Sequence, residues 1–358
     1  MPVSPRAPGR SAASEVRLRE QTPDEQDARA GACAPRDLVD GQGRHIQYLR
    51  LSLTDRCNFR CSYCSPLPVE HHEDPLTRPE VARLIGLFAR LGVRRVRLTG
   101  GEPTLRRDLV DVVRDVASCP GIEEVALTTN GQALAELAGP LRAAGVKRVN
   151  VSLDTLDPDR LLALAGRAAS LDRITAGVAA AAAAGFDSLK LNVVVMGGVN
   201  DGELGALARF GWRHGAIVRF IELMPFGPGQ SVPLAEVKRR LEAQGIRLEP
   251  DGSRGWGPAY HMRGFCEGGP AAGGLLGFIG AMTENFCESC NRVRVAADGS
   301  LRACLGGRDQ VSLKALLRDG TSDQGIAERV AEALGRKADR HEMGAAGTRL
   351  PSMVGTGG

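Results

Sequence analysis

Three cysteines stand at C-x3-C-x2-C spacing in Cys57-Asn58-Phe59-Arg60-Cys61-Ser62-Tyr63-Cys64. Thiolates so spaced on one short loop can hold three irons of a cubane cluster and leave the fourth iron open, whereas a structural zinc site is normally closed by four protein ligands. An open iron can bind a substrate or a cofactor. A second group, Cys287-x2-Cys290-x13-Cys304, again offers three thiolates and no fourth. Cys287 and Cys290 precede the hairpin signal Asp298-Gly299 and Cys304 follows it, so the turn brings the three together. For this group, zinc completed by His261 or another ligand is the alternative. Cys33, Cys119 and Cys266 stand alone and read as incidental thiols. Nine cysteines in 358 residues are too few for a disulfide scaffold, and their grouping favours metal ligation in a reducing compartment.

Gly100-Gly101-Glu102-Pro103 is the next candidate. Its glycines allow close backbone approach to a ligand, and the Glu102 carboxylate with nearby carbonyls could receive an ammonium group. Arg292 and Arg294, at i and i+2 after Cys290, point to one side of a strand whose other side carries Val293 and Val295. Paired guanidiniums beside a metal cluster suit a phosphorylated substrate.

The elements that must position these residues follow a βα rhythm. A first strand at Gln47–Leu53 runs into the cysteine loop. Helices at Arg78–Leu91, Asp108–Ala117, Gln132–Ala144, Leu171–Ala184 and Glu203–His214 then alternate with strands at Arg94–Thr99, Glu123–Thr129, Lys147–Leu153, Ser188–Val195 and Ala216–Leu223. Six strands separated by helices predict a parallel sheet, either a (β/α) barrel or a doubly wound sheet. Polar residues decide between them. Asn150, Ser152 and Asp154 share one face of their strand, Lys190 and Asn192 repeat the pattern, as do Arg97 and Thr99, and Arg50 and Arg219 are charges inside otherwise apolar strands. Strands buried on both faces should be nearly all apolar. We therefore expect an α/β fold, an incomplete (β/α)6 TIM-like barrel with a polar lumen, followed by a smaller C-terminal α+β domain that carries the second cysteine group. Each candidate loop follows a strand, where barrel chemistry sits.

Beyond Met224 the pattern weakens: a helix at Val232–Ala243, a glycine-rich stretch at Pro250–Gly274, a hairpin at Arg292–Ala296 and Ser300–Cys304, and helices at Ser312–Arg318 and Ser322–Leu334. The expected divisions are a disordered arm at 1–40, the barrel at 41–230, the second domain at 231–350 and a glycine-ended tail at 351–358. The arm carries Glu15, Glu20, Asp24, Glu25 and Asp27, which weakens a transit-peptide reading. No apolar run reaches the roughly 18 residues of a membrane span. A net charge of +4 is too mild to argue for nucleic acid but suits a small anion. A cytoplasmic protein is expected.

The segments YLRLSLTDRCNFRCSYC, RLTGGEPTLRRDL, TTNG, VNVSLDTLDP, LNVVVMGGVND, RFIELM and FCESCNRVRVAADGSLRACL, in this order, resemble the GTP 3′,8-cyclase family of molybdenum-cofactor biosynthesis, within the radical S-adenosylmethionine superfamily. The resemblance runs from about residue 38 to the end. It implies a [4Fe-4S] cluster on Cys57, Cys61 and Cys64 that binds and cleaves S-adenosylmethionine, and a second [4Fe-4S] cluster on Cys287, Cys290 and Cys304 that binds guanine through its open iron. By matching motif, Tyr63, Gly101, Ser152 and Met224 contact S-adenosylmethionine. Arg50, Arg97, Thr128, Lys190, Arg292 and Arg294 contact GTP, with Arg219 a further triphosphate ligand.

The implied reaction takes hydrogen from C3′ of GTP and joins C3′ to C8, giving 3′,8-cyclo-7,8-dihydro-GTP. The implied partners are GTP, an electron donor of flavodoxin or ferredoxin type, and a downstream cyclic pyranopterin monophosphate synthase, with a homodimer possible. The family also implies that the Gly357-Gly358 end enters the active site. The rival readings are a two-cluster radical enzyme that modifies a peptide, against which Arg292 and Arg294 argue, and, from another class, a zinc-binding module.

Overall fold

Every strand of the predicted barrel forms, and each lies beside its successor in sequence. A computed structural model describes residues 37–64, 74–166, 168–254, 257–266, 273–307, 309–341, 343 and 353. Apart from residues 37–40 and Met353, the expected arm and tail lie outside the described residues.

The first half runs β1 (Tyr48–Ser52), α1 (Arg78–Arg90), β2 (Arg95–Thr99), α2 (Leu109–Ser118), β3 (Glu124–Thr129), α3 (Leu134–Ala143), β4 (Val146–Ser152), α4 (Pro158–Ala165), α5 (Leu171–Ala183), β5 (Ser188–Val195), α6 (Leu204–Arg213) and β6 (Ile217–Glu222). Local chemistry sets the helix starts. Thr77 and Glu80 form a capping box at α1, each side chain accepting from the other's backbone amide. At α4, the Asp157 side chain accepts from the Asp159 and Arg160 amides, with Pro158 in the first turn. That helix is absent from the expected rhythm, although its Asp-Pro start is a readable signal.

Strands β1 to β6 are parallel and adjacent in order. Along β5, Leu189, Leu191, Val193 and Val195 are buried, while Ser188, Lys190, Asn192 and Val194 are only partly so. The apolar face lies in the helix-packed core and the other faces a lumen, the alternation a barrel wall requires.

The second half is more strand-rich than expected: α7 (Leu234–Ala243), β7 (Ile246–Arg254), β8 (Tyr260–Cys266), β9 (Gly274–Ile279), β10 (Arg292–Val295), β11 (Ser300–Arg302), β12 (Val311–Ser312), α8 (Leu313–Arg318) and α9 (Asp323–Gly335). Of the stretch read as weakly patterned, Pro250–Gly274, the described residues lie largely in an antiparallel β7–β8 pair with an irregularity between Pro250 and Arg254. Proline and glycine inside β7 mark that irregularity rather than a loop.

All twelve strands share one open sheet, in the order β12-β11-β10-β1-β2-β3-β4-β5-β6-β9-β8-β7. Strand β10 lies parallel beside β1, and β9 lies parallel beside β6. The later strands thus extend both edges of the six-stranded unit, which remains an incomplete barrel. Residues 280–291, linking β9 to β10, run from one edge to the other. No described helix is long and apolar enough to cross a membrane.

Candidate active site

The first cysteine loop is wedged between two backbones. On one side the Gly101 and Glu102 amides donate to the carbonyls of Thr54 and Arg56, each at 2.7 Å. A Cβ on Gly101 would stand 2.3 Å from the Arg56 carbonyl oxygen. The glycine is thus required where the turn meets the segment leading to Cys57. On the other side the Arg60 and Ser62 amides donate to the carbonyls of Ala165 and Leu164 at the end of α4, at 2.8 and 3.1 Å. The Glu102 carboxylate, expected to take an ammonium group, is instead committed to the turn. It accepts from the Thr104 amide and hydroxyl, the Thr129 hydroxyl and the Asn130 amide, at 2.6–3.0 Å, and is 1% exposed.

Around this loop the thiols resist ionisation. Burial, with the Glu102 and Asp154 carboxylates adding to it, pushes Cys57 up to about 11 and Cys64 up to about 12, and drives Cys61 well above its ordinary value. Three such sulfurs become thiolates together only beside a strong positive centre, and an iron–sulfur core supplies one. Tyr63 donates from its hydroxyl to Asp154 Oδ2 at 2.6 Å, and Asp154 Oδ1 accepts from the Val194 amide at 2.8 Å. Burial raises Asp154 to about 6.

Strand pairing builds the lumen. Arg50 of β1 lies opposite Arg294 of β10 and Arg97 of β2, so three guanidiniums stand in one rung. Arg97 donates to the Thr128 hydroxyl at 3.1 Å and to the Tyr48 hydroxyl. Arg219 donates twice to Asn192 Oδ1, at 2.9 and 2.6 Å. Oriented as these donors require, the Asn150 amide oxygen accepts from Arg219 at 2.8 Å and from Arg97. Neutral amides thus bridge the cations without cancelling their charge. Burial and mutual repulsion bring Lys190 down to about 7, Arg219 to about 9 and Arg294 to about 10, and push Arg50 well below its usual range. Arg50 Nε is buried with no hydrogen-bond partner among the described residues. Such a cluster suits a polyanion, which restores the charged forms and can accept from the unpartnered Arg50 Nε.

The second cysteine group comes from two places. A 3-10 turn at Cys287–Ser289 carries the first two, the Cys290 amide donating to the Cys287 carbonyl at 3.1 Å, and Cys304 follows β11. Arg292 stacks over the Phe286 ring at 4.9 Å. His261, the candidate fourth zinc ligand, has Lys190, Arg219 and Asp251 as its charged neighbours. Among the described residues no three His, Cys, Asp or Glu side chains close around a single ion. Ligands at the corners of a cubane need not converge in that way.

One cavity of about 330 Å³ unites these parts. Lining it are both cysteine groups, Tyr63, Gly101, Ser152 and Met224, and Arg50, Arg97, Thr128, Lys190, Arg219, Arg292 and Arg294. The cavity also reaches residues that sequence reasoning passed over. Arg95, Glu124 and Arg148 form an ion-paired floor, with Arg148 2.7 Å and Arg95 3.5 Å from Glu124. Arg95 and Arg148 precede Arg97 and Asn150 by two residues, so the same strand alternation would have found them. Met353 also lines the cavity and its amide donates to the Cys64 carbonyl at 3.1 Å, a contact no local pattern announces.

Residues 51–211 match the family model described as the radical SAM superfamily, and residues 216–343 match Molybdenum Cofactor Synthesis C. A GTP 3′,8-cyclase of Heliobacterium modesticaldum is 45% identical over 89% of this chain and 100% of that protein. GTP 3′,8-cyclase 1 of Pseudomonas aeruginosa is 43% identical over 87% of this chain and 95% of that protein. Among solved structures, SuiB of Streptococcus suis bound to S-adenosylmethionine has a similar fold, with a TM-score of 0.57 at 16% identity, covering 87% of this chain and 75% of that one. Identity of this extent, reaching through both cysteine groups, is far above what a shared barrel alone produces, and the chain belongs to the GTP 3′,8-cyclase family of the radical S-adenosylmethionine superfamily.

Proposed function

We infer that this chain converts GTP to (8S)-3′,8-cyclo-7,8-dihydroguanosine 5′-triphosphate, the first step of molybdenum-cofactor biosynthesis. The observation that carries this reading is one cavity joining a loop of three buried thiols, a second group of three, and a crowded set of buried cations between them. The family uses a [4Fe-4S] cluster and S-adenosylmethionine, and Cys57, Cys61 and Cys64 fit the first of these. When bound, they would supply the one-electron chemistry that removes a hydrogen atom from C3′ of the nucleotide.

The protein's own part is binding, orientation and exclusion of water. Arg97, Thr128, Lys190 and Arg219 hold the triphosphate, and Arg50, Arg292 and Arg294 continue the cationic track toward the second cysteine group. Cys287, Cys290 and Cys304 would hold a second [4Fe-4S] cluster, which would supply a binding point for the guanine. Gripped at both ends, the nucleotide presents C3′ and C8 to one another at a fixed spacing. Tyr63, Gly101, Ser152 and Met224 hold S-adenosylmethionine, with the Tyr63–Asp154 bond fixing the aromatic ring. Phe59 and Phe286 shield the two cysteine groups and limit side reactions with water. We assign radical generation to residues 41–230 and substrate anchoring to 231–350. The electron comes from a donor of flavodoxin or ferredoxin type, and the product passes to cyclic pyranopterin monophosphate synthase.

The test is incubation of the reconstituted protein with GTP, S-adenosylmethionine and a reductant without oxygen. The expected products are 5′-deoxyadenosine and a cyclised guanosine triphosphate. Neither product forming while both clusters are assembled overturns the reading, and zinc without iron after reconstitution would favour a binding module.

A further inference from the structure

Behind the second cysteine group lies a buried charge network that none of the ligand contacts above uses. Lys337, just past α9, is 4% exposed. Its ammonium donates to the Arg292 carbonyl at 2.9 Å and to Cys290 Sγ at 3.6 Å, and lies 3.6 Å from the Asp40 carboxylate. The Cys290 carbonyl shares this environment at 3.5 Å. Asp40 is itself buried. The Gln42 and Arg44 amides both donate to its Oδ1 at 3.0 Å, and Arg44 Nε donates to its Oδ2 at 2.7 Å. The Arg44 guanidinium reaches onward, donating to the Cys287 carbonyl at 2.8 Å, Asp339 carbonyl at 3.1 Å and Ala338 carbonyl at 3.0 Å. One carboxylate thus anchors two cations, one touching the sulfur of Cys290 and the other the backbone of Cys287.

Apolar side chains could fill this space without burying three charges, so packing alone is a poor account of the network. A donor on a ligand sulfur has a defined effect. Reducing an iron–sulfur cluster adds negative charge shared with its thiolates, and a hydrogen bond or positive charge at a thiolate stabilises that reduced form. The effect is strong where water is excluded.

We propose that Lys337 tunes the second cluster: its ammonium, held by Asp40, donates to the Cys290 thiolate and makes the cluster easier to reduce, while Arg44 fixes the turn that carries Cys287. This rests on the reading that Cys287, Cys290 and Cys304 hold an iron–sulfur cluster. Lys337 is a positioning residue and is not among the residues lining the cavity. Asp40 limits the effect by partly balancing the ammonium.

The test uses the full-length chain with Cys57, Cys61 and Cys64 replaced by alanine, so that only the second cluster is present, and follows reduction by electron paramagnetic resonance during a potentiometric titration. Lys337→Met should retain about four irons per chain and shift the midpoint to more negative potential. Lys337→Arg should recover most of that shift. Asp40→Asn, which leaves the ammonium uncompensated, should move the midpoint the opposite way, a reversal that general loosening of the turn would not produce. If Lys337→Met loses iron, Lys337→Gln decides, since it keeps a donor and drops the charge. A midpoint equal to the parent's in whichever of these variants retains iron overturns the proposal. A parent chain that assembles no cluster sinks the two-cluster reading, and the proposal with it.

Discussion

The two cysteine groups present equal numbers of thiols in different electrostatic surroundings. The first lies between the end of β1 and α4, close to the Glu102 and Asp154 carboxylates, and its thiols are held above their ordinary range. In the second, burial raises Cys287 as well, but at Cys290 the charges of Arg292 and Lys337 outweigh burial and bring the thiol down to about 7. The groups also differ in construction. One is a single loop fixed by local backbone contacts. The other joins a 3-10 turn and a hairpin end, and is braced by residues from both ends of the described chain. Equal numbers of thiols therefore do not make equal sites: surroundings of negative charge favour giving an electron away, and surroundings of positive charge favour anchoring an electron-rich ligand.

The sharpest way to break this comparison is to remove one group at a time. Cys61→Ala should abolish both 5′-deoxyadenosine and cyclised product, whereas Cys290→Ala should abolish the cyclised product while some S-adenosylmethionine cleavage persists. Each should lose about half of roughly eight irons per chain, measured by iron and product assays. Equal loss of S-adenosylmethionine cleavage in both variants would erase the division of labour.

Next in size is the cationic track between the groups. Arg219→Ala removes a buried charged donor. It should weaken GTP binding by about 1.5–3 kcal/mol, roughly 10- to 150-fold, with S-adenosylmethionine affinity unchanged by calorimetry. A smaller effect is expected at the first group's backbone wedge. The Cβ of Gly101→Ala would meet the Arg56 carbonyl, a contact that only a backbone shift relieves. We expect a loss of about 1–3 kcal/mol of stability in thermal unfolding, with less iron retained on the first group and the second unaffected.

The smallest effect is a slope with pH. Lys190 sits at about 7 because burial and neighbouring arginines disfavour its charge. Between about pH 7 and the ordinary lysine value of roughly 10.4, the unfolded chain therefore binds a proton that the folded, ligand-free chain lacks. Folded stability from this group accordingly rises with pH across that window. A bound triphosphate reverses the preference, so GTP binding above pH 7 should take up a proton and weaken as pH rises, by at most about tenfold per unit for one proton. Calorimetry in buffers of different ionisation heat should detect this uptake, and Lys190→Met should remove it.

Much of the lumen was legible because a strand repeats every two residues. Arg50, Arg97, Asn150, Ser152, Lys190 and Arg219 each violate the apolar pattern of a buried strand, and all but Ser152 belong to the cation network or bridge it from neighbouring strands. Strand β7 was hidden because Pro250 and Gly252, ordinarily turn residues, sit within its irregular segment, with Gly252 at a φ of 68°. The Asp40–Lys337 contact was invisible for another reason: no periodicity links two charged residues at opposite ends of a chain, and each alone resembles a surface residue. Glu102 shows the converse risk. Its motif is conspicuous, but its carboxylate secures the turn.

The strand order has a consequence for how the protein is made. Strands β1 and β6, the edges of the six-stranded unit, are covered only by β10 and β9, which leave the ribosome after β1 to β6 are complete. Until then the nascent barrel carries two unpaired edges prone to mispairing with other chains. The same late segment brings Cys287 and Cys290. Completion of the scaffold and delivery of the second cysteine group therefore coincide in synthesis, so a chain interrupted before residue 274 would lack the edge cover and this group together.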